Sequence, residues 1–149
     1  MSVDIEIASA VTPELVESLN HLLPQLSTSA SLLTSSDVQS LVDVPAVTLF
    51  VARSEGQIVG SLTLVVFPIP TGLRAWIEDV VVDQAARGLG VGEALTNAAI
   101  DESRRRHVRS IDLTTRPSRE AANRLYARLG FELRETNVYR YFLEERSSR

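Results

Sequence analysis

A glycine-rich loop with the sequence Arg-Gly-Leu-Gly-Val-Gly, residues 87–92, is the first place where residue types and spacing suggest chemistry. It follows the apolar run 80–82, three valines that are typical of a buried β-strand. Apolar residues at helical spacing then predict a helix that begins within the loop: Val91, Ala94, Leu95 and Ala98. The first turn of a helix has unpaired N–H groups and a partial positive charge, and glycines let a phosphate approach them closely. The pattern therefore predicts a pyrophosphate-binding loop.

Two familiar nucleotide-binding motifs do not fit this loop. The dinucleotide fingerprint needs a third glycine at position 93, which is Glu93 in this chain. The P-loop needs a lysine, whereas all fifteen basic residues of this chain are arginines. Chemistry that depends on lysine, such as a Schiff base, is excluded on the same ground.

Composition limits the class of protein. The chain has 149 residues, 44% of them hydrophobic, which predicts one domain spanning residues 1–149. The absence of cysteine, of an apolar run of membrane-spanning length and of a signal-peptide pattern favours a cytoplasmic protein without membrane contact. A formal net charge of −4 argues against nucleic acid as a partner and is compatible with a cationic substrate. His21 and His107 lack metal-ligand spacing, so we expect no metal. A homodimer is compatible with the sequence.

The remaining elements follow from caps, periodicity and turn residues. Thr12-Pro13-Glu14 predicts a helix start, and Ser36-x-x-Gln39 has the spacing of a capping box for a second helix. Ser54-Glu55-Gly56 predicts a hairpin turn between two β-rich runs, and Gly130 predicts the end of a late helix. The predicted strands are Val3–Ile7, Val47–Arg53, Gln57–Phe67, Trp76–Val82, Val108–Thr114, Phe131–Leu133 and Val138–Leu143.

In two stretches the sequence resembles the GCN5-related N-acetyltransferase (GNAT) family. Arg87-x-x-Gly90-x-Gly92 directly after an apolar strand is similar to the family's acetyl-CoA signature. The helix Ala122–Phe131, with its Leu-Tyr and Gly-Phe pairs, looks like the family's second motif. The resemblance implies an α/β fold with a mixed, mostly antiparallel sheet of six to seven strands flanked by about four helices. It also implies that residues 1–45 form an N-terminal strand and acceptor-side helices, and residues 46–143 the acetyl-CoA-binding core.

Site residues are implied by the same resemblance, position by position. The strand of Val80, Val81 and Val82 would pair its backbone with the pantetheine arm of acetyl-CoA, and Tyr126 would lie beside the thioester sulfur. The pyrophosphate would be held by the loop residues Arg87, Gly88, Leu89, Gly90, Val91 and Gly92. The chain departs from the family at Arg119, where many relatives have Asn. Either Asn123 replaces that lost contact or Arg119 reaches a phosphate of CoA.

The implied reaction is attack of a primary amine on the thioester in a ternary complex. Free alkylamines have a pKa near ~10, so a base must take a proton before or during attack. Glu78 and Asp79 are the candidate bases, and because side chains alternate along a strand we expect at most one to face the amine. The structural alternative is that one acid caps a loop and the other pairs with an arginine. Trp76 either walls the acceptor pocket or packs in the core, and Tyr126 either donates to the leaving sulfur or packs as a core aromatic.

Three functions fit these residues. The first is acetylation of a small-molecule amine, which we expect. The second is acetylation of a protein or peptide, and the third is non-catalytic sensing of acetyl-CoA. Tyr126 and the two acids favour an enzyme over a sensor, since ligand binding alone does not require them.

Overall fold

The computed structural model describes residues 2–144, which pack as two compact units divided after Thr114. Its elements are β1 (Asp4–Ile7), α1 (Pro13–Leu26), α2 (Ser35–Val42), β2 (Val47–Ser54), β3 (Gln57–Ile69), β4 (Gly72–Val82), a 3₁₀ turn (Gln84–Ala86), α3 (Val91–Arg105), β5 (Ser110–Asp112) and α4 (Glu120–Arg128). The first unit contains everything up to β5, and the second contains α4. The α/β class and the four helices are therefore confirmed.

The sheet of the first unit has five strands in the order β1-β2-β3-β4-β5. The first four strands are antiparallel, and β5 runs parallel to β4. The prediction of six to seven strands is wrong for the described residues, because none of residues 131–144 lies in a strand. Alternating apolar residues indicate a pleated segment, but a strand also needs a neighbour that supplies the hydrogen-bond ladder, and sequence alternation does not reveal that neighbour.

Local sequence explains how the helices begin. Thr12 accepts a hydrogen bond from the Leu15 N–H at the start of α1, as expected. For α2 the predicted cap at Ser36 is wrong, because the reciprocal pair is formed by Thr34 and Asp37. Asp37, at the third helical position, accepts from the backbone N–H of the cap residue Thr34. Glutamate or glutamine has this role in the usual capping box. Gln39 instead donates to Asp43 in the last turn.

The hairpin between β2 and β3 turns at Glu55 and Gly56, both with positive φ, 52° and 78°. Two central residues with positive φ are the geometry that fits the twist of the flanking strands, so the predicted turn is confirmed. The next turn is tighter than expected, since β3 continues to Ile69 and β4 already begins at Gly72.

The two faces of the sheet carry different helices. On one face, side chains of α1 and α2 form a core cluster with the strands: Leu15, Leu19, Leu22, Val38, Leu49, Val51, Ile58 and Val81. On the other face α3 lies so close to Gly60 that an added Cβ would be 2.9 Å from Val91 Cγ1 and 3.2 Å from Leu95 Cδ1. Only glycine allows this approach, which seats the first turn of α3 directly over β3.

Candidate active site

The C-terminal half of β4 has an open backbone edge. β5 pairs with β4 only at Arg74, Ala75 and Trp76, so among the described residues the segment from Ile77 to Val82 has a partner strand, β3, on one side alone. Unpaired N–H and C=O groups on a strand edge can accept an added extended chain with amide groups. The segment includes Val80, Val81 and Val82, for which the resemblance implies backbone pairing with pantetheine, and an open edge fits that ligand.

A β-bulge interrupts β4 at its centre. Ser61 lies opposite Val81 and Thr63 opposite Glu78, so Leu62 alone faces the two residues between them, Asp79 and Val80. Asp79 has a φ of 50°, a left-handed conformation that aspartate tolerates better than most residues.

The bulge changes which way the following side chains point. In a regular strand Ile77 and Val81 would lie on the same face. Ile77 is paired with Leu64, on the face that α3 covers, whereas Val81 belongs to the cluster under α1 and α2. The inserted residue therefore breaks the period of two between Ile77 and Val81, and the expectation that at most one of Glu78 and Asp79 faces the amine stays a prediction.

Both acids of β4 are exposed. Their carboxylates consequently avoid the desolvation cost that burial in an apolar strand would impose. Among residues 2–144 neither acid forms an ion pair with an arginine, so the structural alternative of an Arg-paired acid is not what this structure shows. Glu78 accepts a 2.6 Å hydrogen bond through Oε1 from the indole N–H of Trp76.

The glycine loop enters α3 without a side-chain cap. Gly88 and Gly90 have φ values of 83° and 78°, and Gly90 is the residue that caps α3. A Cβ built on either glycine would meet nothing within 4 Å, so the backbone conformation, and not a lack of space, requires glycine at both positions. The helix begins at Val91. The backbone N–H groups in the first turn of an α-helix have no carbonyl within the helix to which they can donate. A glycine-rich turn that leads into a helix N-terminus is an arrangement that binds anions.

Asp83 connects the end of β4 to α1 through its side chain. Its carboxylate caps the 3₁₀ turn by accepting from the Ala85 N–H at 3.1 Å, and its other oxygen lies 3.1 Å from Nε2 of His21. These contacts, with the Ala85 N–H first, hold the pKa of Asp83 below its usual value. His21 and Gln25 are four residues apart and therefore share one face of α1. This spacing is the sequence feature that could have indicated a shared contact partner.

Within the second unit, α4 presents the two residues predicted from the resemblance. Burial raises the pKa of the Tyr126 phenol, so the hydroxyl is protonated at neutral pH and is able to donate. Its ring packs edge-on against Phe131, with ring centroids 5.7 Å apart. Asn123 donates through Nδ2 to the carbonyls of Arg116 and Arg119, at 2.9 and 2.8 Å, so its amide hydrogens stabilise the start of the helix. Its role toward CoA stays a prediction.

Residues 2–144 contain no group of three or more His, Asp or Glu side chains arranged to hold a metal ion. No helix in that part of the chain is both long and apolar enough to cross a membrane.

Comparison with known proteins agrees with this geometry. The family model "Acetyltransferase (GNAT) family" matches residues 14–131. The chain belongs to the GNAT family. The resemblance predicted from the sequence is therefore confirmed. Members of this family are acetyltransferases.

Individual relatives differ in what they are named for. The chain is 38% identical over 73 residues to N-alpha-acetyltransferase 30 of Schizosaccharomyces pombe, a match that covers 49% of this chain and 48% of that protein. It thus spans about half the length of this curated relative. Among solved structures, a transcriptional regulator from Bacillus halodurans C-125 is 30% identical with a TM-score of 0.79, covering 95% of this chain and 100% of that one. An acetyltransferase from Trypanosoma brucei is 25% identical with a TM-score of 0.76, again covering 95% and 100%.

Proposed function

We propose that this GNAT protein transfers the acetyl group of acetyl-CoA to the primary amine of a small cationic molecule, by direct attack in a ternary complex. The observation that carries the proposal is the combination, along one strand, of an open backbone edge at residues 77–82 and two exposed carboxylates, Glu78 and Asp79. The edge gives the pantetheine amides hydrogen-bonding partners. The carboxylates attract an ammonium group and are able to accept its proton.

The reaction needs one base and one donor. The amine nitrogen forms a C–N bond with the thioester carbonyl carbon, the C–S bond breaks, and the electron pair leaves on sulfur. Glu78 or Asp79 accepts the proton that the amine loses, directly or through water. Tyr126, whose phenol is kept protonated, donates to the sulfur as it becomes a thiolate.

A peptide or protein N-terminus is the second candidate acceptor. It is favoured by the 38% identity to an N-alpha-acetyltransferase, which concerns about half of each chain. A free α-amine is also less basic than an alkylamine, with a pKa near ~8, and so depends less on a base.

A thiol-release assay with purified protein and acetyl-CoA distinguishes these functions. We expect turnover with small di- and polyamines or amino sugars, and little with peptides. Turnover with free peptides that disappears for the same peptides with acetylated N-termini would instead establish the N-terminal activity. Binding of acetyl-CoA without turnover in any arm would identify a sensor and contradict the proposal.

A further inference from the structure

A glutamine of α1 contacts the residues that lead into the glycine loop. Gln25, in the last turn of α1, accepts through Oε1 from the backbone N–H of Gln84 at 2.9 Å. Its Nε2 lies 3.5 Å from Oδ1 of Asp83, a longer and weaker contact. One side chain therefore holds two consecutive residues that lie 58 and 59 positions later in the chain.

Asp83 is in turn held on three sides. Its N–H donates to the carbonyl of Val59 in β3 at 2.8 Å, and its carboxylate accepts from the Ala85 N–H and contacts His21. The next residues form the 3₁₀ turn, which ends at the buried Ala86, directly before Arg87. The incoming end of the loop is consequently fixed to both β3 and α1.

The loop itself has little of its own to fix it. Gly88 and Gly90 both have positive φ, α3 begins without a side-chain cap, and space is open around both glycines. Glycine-rich backbone is conformationally free, so the N–H groups that bind an anion are preorganised only if both ends of the loop are held. α3, packed on Gly60, holds the outgoing end.

We propose that Gln25 is a positioning residue for acetyl-CoA, because it fixes the incoming end of the pyrophosphate loop, with His21 assisting through Asp83. The inference rests on the proposed function, in that it takes residues 87–92 as the pyrophosphate site. In this proposal α1 controls the affinity for acetyl-CoA, although it packs on the opposite face of the sheet from α3.

Two cosubstrates separate this role from general support of the fold. Acetyl-CoA carries the pyrophosphate, whereas S-acetylpantetheine has the same thioester and pantetheine arm without it. Gln25→Met keeps the side-chain length and removes the polar contacts with Asp83 and Gln84, together with the longer contacts to His21. We expect the Kd of acetyl-CoA to rise roughly three- to tenfold, the range for one lost hydrogen bond, and kcat at saturation to change less than twofold. kcat/KM for S-acetylpantetheine is expected to stay at the wild-type value.

The matched control is Asn20, another polar residue of α1 whose side chain bridges to a backbone, that of Leu33. Asn20→Leu removes a comparable tertiary contact without touching Asp83 or Gln84, and acetyl-CoA affinity is expected to stay unchanged. His21→Ala is a second variant, with a smaller expected rise in Kd. All binding is measured well below the Tm of each variant.

The outcomes are distinguishable. If wild-type protein fails to bind acetyl-CoA, the proposed function itself fails. If the wild type binds and Gln25→Met binds equally well, the positioning role alone is overturned. It is also overturned if Gln25→Met weakens use of S-acetylpantetheine as much as binding of acetyl-CoA, or if Asn20→Leu raises the Kd to the same extent.

Discussion

The indole N–H of Trp76 donates a 2.6 Å hydrogen bond to Oε1 of Glu78, two residues further along the same face of β4. Such a contact restricts the rotamers of an exposed carboxylate that would otherwise sample several. Of the two candidate bases, Glu78 is thus the one whose position the structure explains.

Replacement of Glu78 by Gln is expected to lower kcat by roughly 10²-fold if Glu78 is the base, because the amide retains the size of the side chain but accepts no proton. Trp76→Phe keeps an aromatic ring and removes the N–H, so a smaller fall is expected. In the double variant the tryptophan change is expected to add nothing, since it acts through Glu78. Steady-state kinetics on the four proteins test this, and additive effects would show that Trp76 acts independently.

Asp79 is tested separately because of its backbone. Asp79→Asn and Asp79→Gly keep residues that accept the φ of 50°, whereas a β-branched residue does not. We expect Asp79→Val to lose about 1–2 kcal/mol of unfolding free energy and Asp79→Asn to lose little. Denaturant unfolding measures the stability, and kcat of the Asn variant reports on proton transfer. Equal stability of the Val and Asn variants would contradict the bulge geometry.

The glycine loop is tested at Gly90. Gly90→Asn retains a residue that tolerates positive φ but places a side chain in the open space in front of the loop, so acetyl-CoA is expected to bind more weakly. Gly90→Glu adds a negative charge and is expected to abolish the thermal stabilisation by acetyl-CoA. Gly56 is the matched control, since it has the same φ of 78° and the same open surroundings. If Gly56→Asn reduces the ligand-induced Tm shift as much as Gly90→Asn does, the loop is not the phosphate site.

Tyr126 is expected to act only as charge develops on sulfur. Tyr126→Phe keeps the edge contact with Phe131 and removes the hydroxyl, so we expect an unchanged Kd for acetyl-CoA and a fall in kcat of roughly 10²-fold. Single-turnover measurements give the chemical step free of product release. A wild-type rate in that step would make Tyr126 a packing residue.

The pH dependence of stability is expected to include Asp83. Its pKa in the folded protein is lowered, chiefly by the Ala85 N–H, so its contribution is fully present above the unfolded-state pKa near ~4 and is lost as the pH falls through the lower folded-state value. Asp83→Asn can still accept from Ala85 but carries no charge. Tm measured from pH 7 to pH 3 should therefore fall less steeply in the variant than in the wild type. Parallel curves would show that the carboxylate contributes no pH-dependent stability.

Local sequence patterns were sufficient to predict many structural elements of this protein. The glycine loop, its position between an apolar strand and a helix, the cap at Thr12 and the turn at Gly56 depend on residues near one another in the chain, whose backbone preferences are intrinsic. The family motifs lie in the same short stretches. For this reason the fold class could be predicted from the sequence alone, and a candidate site could be proposed from it.

Tertiary structure decided what depends on pairing across the chain. The bulge at Asp79 is defined by the pairing register between β4 and Leu62 of β3. The number of strands depends on which strand edges have a hydrogen-bonding partner. Gln25 and His21 contact the residues that follow β4 because α1 packs under this strand, although the contacts span 59 and 62 residues in sequence. The sequence by itself determined the chemistry that residues 76–92 can offer, since that follows from residue type and spacing. Which groups are open, held or redirected was decided by long-range contacts, which local periodicity does not encode.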